Sequence, residues 1–311
     1  MVTTGEIVPV LKPSVSHLPG PGVGIAQGTR HVFCLKFENP TGTSCFANSV
    51  VQSLLQLSES LWERIAVHGD NENNAVALEL SRLRQQYLSK STETESTFRL
   101  RNLLGAPFLA DEQEDAAYFL QRLLEVLPDS VTTLFRHYDN QYEKCMSCKR
   151  QLLTMAQESL IWAGPLCQKA TVETVIGRNQ MQQKYCENCR QETNVNAYNI
   201  SQFVHESAGI FVLNLMLFQN VGPRGELHKV NAKVTGVRSS GNRIGGSHGK
   251  LFRPIAAVEH TGRTPESGHY QAWIKDLDGW ILTSDNYVSK IGKNLPPGLK
   301  NVYLLFFEML T

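Results

Sequence analysis

Two short motifs, Cys145-Met-Ser-Cys148 and Cys186-Glu-Asn-Cys189, constrain this chain more than any other feature. Each C-x-x-C closes a tight turn and offers two thiolates to one ion. Two such turns, separated by 37 residues, make a tetrahedral set for a single zinc. Any fold that uses them must bring both turns to one point. With four sulfurs as ligands no position remains for water, so the metal reads as structural. A redox C-x-x-C is the competing reading, but redox sites do not normally come as two polar knuckles. A zinc ribbon for nucleic acid would need a basic and aromatic surface. Here Lys and Arg are scattered and the formal net charge is +1, which argues against nucleic acid or an anionic membrane as the main partner. Seven cysteines, four of them in the knuckles, suit a reducing compartment better than a disulfide framework. Cys167 lies between the pairs without a partner and reads as inert.

The second feature is Pro40 to Leu57, P-T-G-T-S-C-F-A-N-S-V-V-Q-S-L-L-Q-L. Ala47, Val50, Val51, Leu54 and Leu55 recur at helical spacing, so Cys45 stands at the mouth of an amphipathic helix. Thr43 and Ser44 are expected to cap it with their hydroxyls, and Gly42 permits a sharp approach. Free backbone N–H groups and the positive helix end favour a thiolate there. The plain alternative is a buried cysteine beginning a core helix. Ser267-Gly268-His269-Tyr270, far downstream, supplies a histidine. A helix-borne cysteine with a distant histidine is the arrangement for a thiol nucleophile and its base.

The remaining segments support an α+β domain with a large core, in keeping with 311 residues and 41% hydrophobic content. Residues 1–30 are rich in Pro and Gly and read as a flexible leader. Val32 to Phe37 reads as a strand, with Cys34 in the core. Ala75 to Tyr87 reads as a helix with Val76, Leu80, Leu83 and Tyr87 on one stripe. Ser89 to Ser96 is a polar loop. A helix is expected over Asp111 to Leu127, started by Asp111 and Glu114 and ended by Pro128. Ile210 to Phe218 suits a central strand, and Val302 to Glu308 a closing core strand. Thr235 to Gly249 reads as a long mobile loop, and Gly262 to Ser267 as a short one. The N-terminus lacks a basic-then-apolar signal pattern, and the apolar run Gly209 to Phe218 is too short to span a bilayer. The protein is expected to be soluble, in the cytoplasm, the nucleus or both.

The box around Cys45 resembles the cysteine box of the ubiquitin-specific proteases, and Gly268-His269-Tyr270 resembles their histidine box. Q-E-D-A-A-Y-F-L from Gln113 to Leu120 is similar to a second family box, matching at Gln113, Asp115, Ala116, Phe119 and Leu120. A-A-V-E-H-T-G from Ala256 and V-Y-L-L-F-F-E from Val302 also match, so the likeness runs from about Lys36 to Glu308. It implies a papain-like cysteine protease with a helical thumb (about 31–135), zinc-ribbon fingers (about 136–210) and a sheet palm (about 211–311). It also implies ubiquitin as partner, the fingers holding its body and a narrow channel admitting its C-terminal glycines past Tyr270 and two loops. By position, Thr235–Gly249 and Gly262–Ser267 look like those loops.

The likeness assigns Cys45 as nucleophile and His269 as base. An asparagine five residues before the cysteine supplies the oxyanion donor in the family. Here Asn39 stands six before, with Pro40 in the expected slot. The third residue falls at Ser284 or Asp285. A two-residue turn at Asp278-Gly279 would set His269 across from Val288 and put Ser284 on the histidine face. A bulged three-residue loop would put Asp285 there instead. The expected activity is hydrolysis after the C-terminal glycine of ubiquitin, by a monomer. A catalytically silent ubiquitin-binding scaffold and a protease for another ubiquitin-like modifier are the alternatives.

Overall fold

The ten residues of helix α1, Cys45–Leu54, are all buried, and the fold is laid around them. A helix enclosed on every side is packed by other elements rather than by solvent. Its Val50, Val51 and Leu54 each contribute about 1.5–3 kcal/mol by burial. The structure is a computed structural model. It describes residues 32–310 apart from 72–73, 110, 166–168, 178–179, 204–208, 221–226, 231–232, 246–248, 266, 278 and 292–298. The leader expected at 1–30 and Cys167 lie outside the described residues.

Among the described residues the N-terminal half also holds α2 (Glu59–Asn71), α3 (Ala75–Leu88), α4 (Phe98–Leu104) and α5 (Ala116–Glu125), followed by the single helical turn Asp129–Thr132. Asn74 caps α3 by accepting the Ala77 N–H at 2.9 Å. Sequence reading missed α2 and α4. It also started α5 five residues early. Asp115 is the N-cap, in extended backbone, and accepts the Tyr118 N–H at 2.8 Å. Asp111 and Glu114 lie in the non-helical approach.

The C-terminal half is a sheet. In spatial order its strands are Tyr287–Ile291, Trp280–Ser284, Ser267–Lys275, Lys250–Thr264, Val302–Met309, Ile210–Met216 and Trp162–Pro165, with Asn242–Ile244 on the start of Lys250–Thr264. All neighbours run antiparallel except the last pair. Val302–Met309 is buried on both faces except at its final residue. α1 packs across the strand Ser267–Lys275. Helices gathered on one side of an antiparallel sheet make the α+β class.

A second sheet, in the order Gln151–Ser159, His137–Cys145, Gln191–Phe203, Gln180–Cys186, forms the fingers. Its edge strand Gln151–Ser159 is exposed at all but its last residue. Trp162–Pro165, inside the stretch expected to be fingers, belongs to the palm sheet because it pairs in parallel with Ile210–Met216. Val32 to Phe37 forms only a two-residue strand, Lys36–Phe37, paired with Thr94–Glu95 inside the expected polar loop.

The Thr235–Gly249 segment is not beside the active-site strand ends. Asn242–Ile244 pairs with Lys250–Phe252, and Gly262 lies about 30 Å further along the same strand. The hairpin that does reach this end, Phe218–Asn220 with Leu227–Lys229, carried no period or motif in the sequence. The Lys229 ammonium donates to the His260 and Gly262 carbonyls at 2.7 and 3.1 Å.

Candidate active site and metal centre

The first turn of α1 is held by the loop before it. Asn39 Oδ1 accepts the Ser44 N–H at 2.8 Å, which replaces the expected hydroxyl caps. Thr43 instead shares a hydrogen bond with Thr41, and Ser44 makes no side-chain cap. Asn39 Nδ2 donates to Asp285 Oδ2 at 2.9 Å, and Asn48 Nδ2 donates to Asp285 Oδ1 at 2.8 Å. The Asp285 carbonyl accepts the Phe37 N–H. Asp285 sits at φ +52°, in the two-residue turn between the paired Ser284 and Tyr287. That left-handed turn aims its carboxylate at the thumb.

Asp285 is therefore not the partner of the imidazole, although the sequence left it a candidate. His269 Nε2 lies 2.7 Å from Ser284 Oγ. The hairpin closes between Asp276 and Gly279, and Lys275 pairs with Trp280, so the register is two residues off the expected one. A slip of two keeps every side chain on its face, and Ser284 stays on the histidine side. His269 Nδ1 is the ring nitrogen not engaged with Ser284.

Cys45 is fully buried. Its Sγ points to Gln113 Oε1 at 3.8 Å, and the Tyr270 backbone N–H also reaches the sulfur. Tyr270 follows His269 directly, so the histidine strand is brought onto the cysteine. Burial pushes the thiol up to about 11. The Tyr270, Phe46 and Cys45 N–H groups oppose this, and the Asp285 charge adds to it. The thiolate expected from the helix end is outweighed here, because desolvation of a buried anion exceeds a partial dipole charge.

The Gln113 amide links the sulfur to a hairpin tip. The Lys250–Thr264 and Ser267–Lys275 strands meet in a tight hairpin, with Thr264 paired to Ser267. The Pro265 carbonyl at its tip accepts from the Gln113 amide at 3.2 Å and from the Tyr270 hydroxyl at 3.0 Å. Gly268, at φ +141°, has room for no side chain, since a Cβ would meet the Thr261 carbonyl oxygen at 2.2 Å. Below lies an aromatic floor of Phe218, His260, Tyr270 and Tyr303. The Tyr303 hydroxyl donates to Asp115, and burial pushes the His260 imidazole down to about 4. Gln113, Asp115 and Tyr303 lay inside matched family boxes, the one signal that would have marked them as site residues.

The four knuckle cysteines converge. Cys145, Cys148, Cys186 and Cys189 have their sulfurs within 4.8 Å of one another. Cys145–Cys189 and Cys148–Cys186 are each 3.8 Å apart. Four sulfurs about 2.3 Å from a tetrahedral zinc would be about 3.8 Å apart, so the donor set fits that ion. The residues after the second cysteines, Lys149 and Arg190, have positive φ and turn both knuckles alike. The Thr193 hydroxyl brings the Cys145 thiol down to about 6, while the neighbouring Cys148 drives Cys189 up to about 12. Crowded thiols share protons unevenly in this way, and a bound dication relieves it.

A helical thumb and a sheet palm meeting at a buried thiol and a strand-borne imidazole define the papain-like architecture, here with metal-type fingers. The solved "SAGA Ubp8/Sgf11/Sus1/Sgf73 DUB module bound to ubiquitin aldehyde" is similar in fold, with a TM-score of 0.68 at 16% identity over 89% of this chain and 70% of that one. The family model described as ubiquitin carboxyl-terminal hydrolase matches residues 37–307, and the chain belongs to that family. A 70-residue stretch is 39% identical to the probable ubiquitin carboxyl-terminal hydrolase creB of Aspergillus flavus and 37% identical to creB of Emericella nidulans. The stretch covers 20% of this chain and 9% of the length of these curated relatives.

Proposed function

We propose that this chain is a thiol-dependent deubiquitinase, cleaving isopeptide or peptide bonds after the C-terminal glycine of ubiquitin. The observation that carries the reading is the meeting of Cys45 with the histidine strand, His269 being held by Ser284. His269 takes the Cys45 proton, and the sulfur attacks the glycine carbonyl. The tetrahedral intermediate collapses to a thioester as the lysine amine leaves with the proton from the imidazolium. His269 then deprotonates water, which attacks the thioester and frees both the ubiquitin carboxylate and the Cys45 thiol. Asn39 carries two amide hydrogens, and Asp285 takes one. The other would serve the oxyanion.

The fingers hold one structural Zn2+ through Cys145, Cys148, Cys186 and Cys189, cross-linking two hairpins that share little core. The chain acts as a monomer on ubiquitin or ubiquitinated proteins, in the cytoplasm or nucleus. Ubiquitin carrying a C-terminal electrophile is expected to label Cys45, and Cys45→Ala to abolish labelling. Binding without labelling would instead support a silent scaffold. That reading is favoured by the raised thiol, the diversion of Asn39 to Asp285 and the uncharged Ser284. Labelling by another modifier's probe in preference to ubiquitin's would move the substrate class.

A further inference from the structure

Helix α4 sends one charged side chain into the thumb. Arg101 is 3% exposed. Its Nε donates to the Phe108 carbonyl at 3.0 Å and its Nη1 to the Ser44 hydroxyl at 2.8 Å. Its guanidinium carbon stands 5.5 Å from the centre of the Phe46 ring. Ser44 and Phe46 are the two chain neighbours of Cys45, so a permanent cation is packed against both sides of the nucleophile. Arginine is almost never this deeply buried unless paired, because removing the ion from water costs several kcal/mol. Asp111 and Glu114, from the approach to α5, act on it electrostatically, as does Cys45 once it is a thiolate.

We infer that Arg101 is a positioning residue for the nucleophile: it fixes the first turn of α1 through Ser44 and supplies the buried positive charge that opposes loss of solvent around the sulfur. The inference rests on reading Cys45 as the nucleophile. Among the other groups near the sulfur, Asp285 from the Ser284–Tyr287 turn disfavours a thiolate and Gln113 is neutral. Arg101, itself buried, therefore opposes the effect of the part-buried Asp285 on the sulfur. The spacing of Arg101 on its helix gave no sign of this, since the contact is with a residue 57 positions away.

The test is iodoacetamide alkylation of the full chain from about pH 6 to about pH 10, with the Cys45 peptide quantified by mass spectrometry. This readout does not depend on ubiquitin. Arg101→Gln keeps hydrogen-bond donors but removes the charge. Its Cys45 profile is expected to rise by about one pH unit, giving roughly tenfold slower alkylation at neutral pH. Arg101→Lys keeps the charge and is expected to stay within a few tenths of a unit of the native profile. A folded Arg101→Gln chain with an unmoved profile would overturn the inference. If that variant does not fold, Ser44→Ala, which removes only the hydroxyl that the guanidinium holds, decides. An upward shift supports the role and an unchanged profile overturns it. A shifted profile in a chain inert to every ubiquitin probe would sink the hydrolase reading and leave the role of Arg101 standing.

Discussion

Ser284 and Asp285 are adjacent in sequence and do opposite things. Ser284 holds the imidazole, and Asp285 fastens thumb to palm through Asn39 and Asn48. Ser284→Ala removes one hydrogen bond worth about 1–1.5 kcal/mol, so kcat on a fluorogenic ubiquitin substrate should fall about tenfold with KM little changed. Asp285→Asn should act differently. Loss of two charge-assisted bonds should lower the thermal midpoint and destabilise the chain by about 2–4 kcal/mol. Removing the negative charge that raises the Cys45 thiol should also move its alkylation profile to lower pH. An unchanged or upward profile in folded Asp285→Asn would mean that the carboxylate does not act on the sulfur.

At the scale of elements, the fingers and the palm are stabilised by different means. The palm strand Val302–Met309 sits inside a continuous apolar core, whereas the fingers strand Gln151–Ser159 faces solvent along almost its whole length. A sheet with so little burial needs a cross-link, and the four sulfurs offer one. Metal analysis is expected to find one zinc per chain, and Cys186→Ser to lose it. Chelation should abolish hydrogen-exchange protection over the fingers strands His137–Cys145, Gln180–Cys186 and Gln191–Phe203 and leave the palm strand Val302–Met309 protected. Well-folded protein without metal, or uniform loss of protection, would contradict this. The knuckles were legible because ligand type and turn spacing are local properties. The face of Ser284 was legible although the hairpin register was not, because side chains alternate with a period of two and the slip was two residues. The start of α5 was misjudged because Asp111, Glu114 and Asp115 all look like caps in sequence. The tertiary bond from Tyr303 to Asp115 picks out the third.

For the whole molecule, buried titratable groups bound the pH range of stability. Burial pushes Cys34 up to about 12 and Cys45 up to about 11, from an ordinary value of 9.0. The unfolded chain releases these protons first, so stability present below about pH 9 is lost as pH climbs toward 11, by about 2–3 kcal/mol for Cys45. His137 and His260 are held down to about 4, both by burial first. The unfolded chain binds those protons first, so stability present above about pH 6.5 is lost as pH falls toward 4. Denaturant midpoints are expected to form a plateau between these windows. A midpoint still rising from pH 9 to 11 would contradict the thiol assignments. Among the described residues, no helix is long and apolar enough to cross a membrane.

The linear chain by itself singled out the candidate side chains: a cysteine at a helix mouth, a histidine on a hairpin and four cysteines in two knuckles. Those follow from residue type, short spacing and alternation, which act over a few bonds. Only the tertiary structure decided that Asp285 faces the thumb, that Gln113 links Cys45 to the Pro265 hairpin, and that burial raises the Cys45 thiol beside a buried arginine. These depend on desolvation and on fields between segments far apart in the chain, and neither exists until the core has closed.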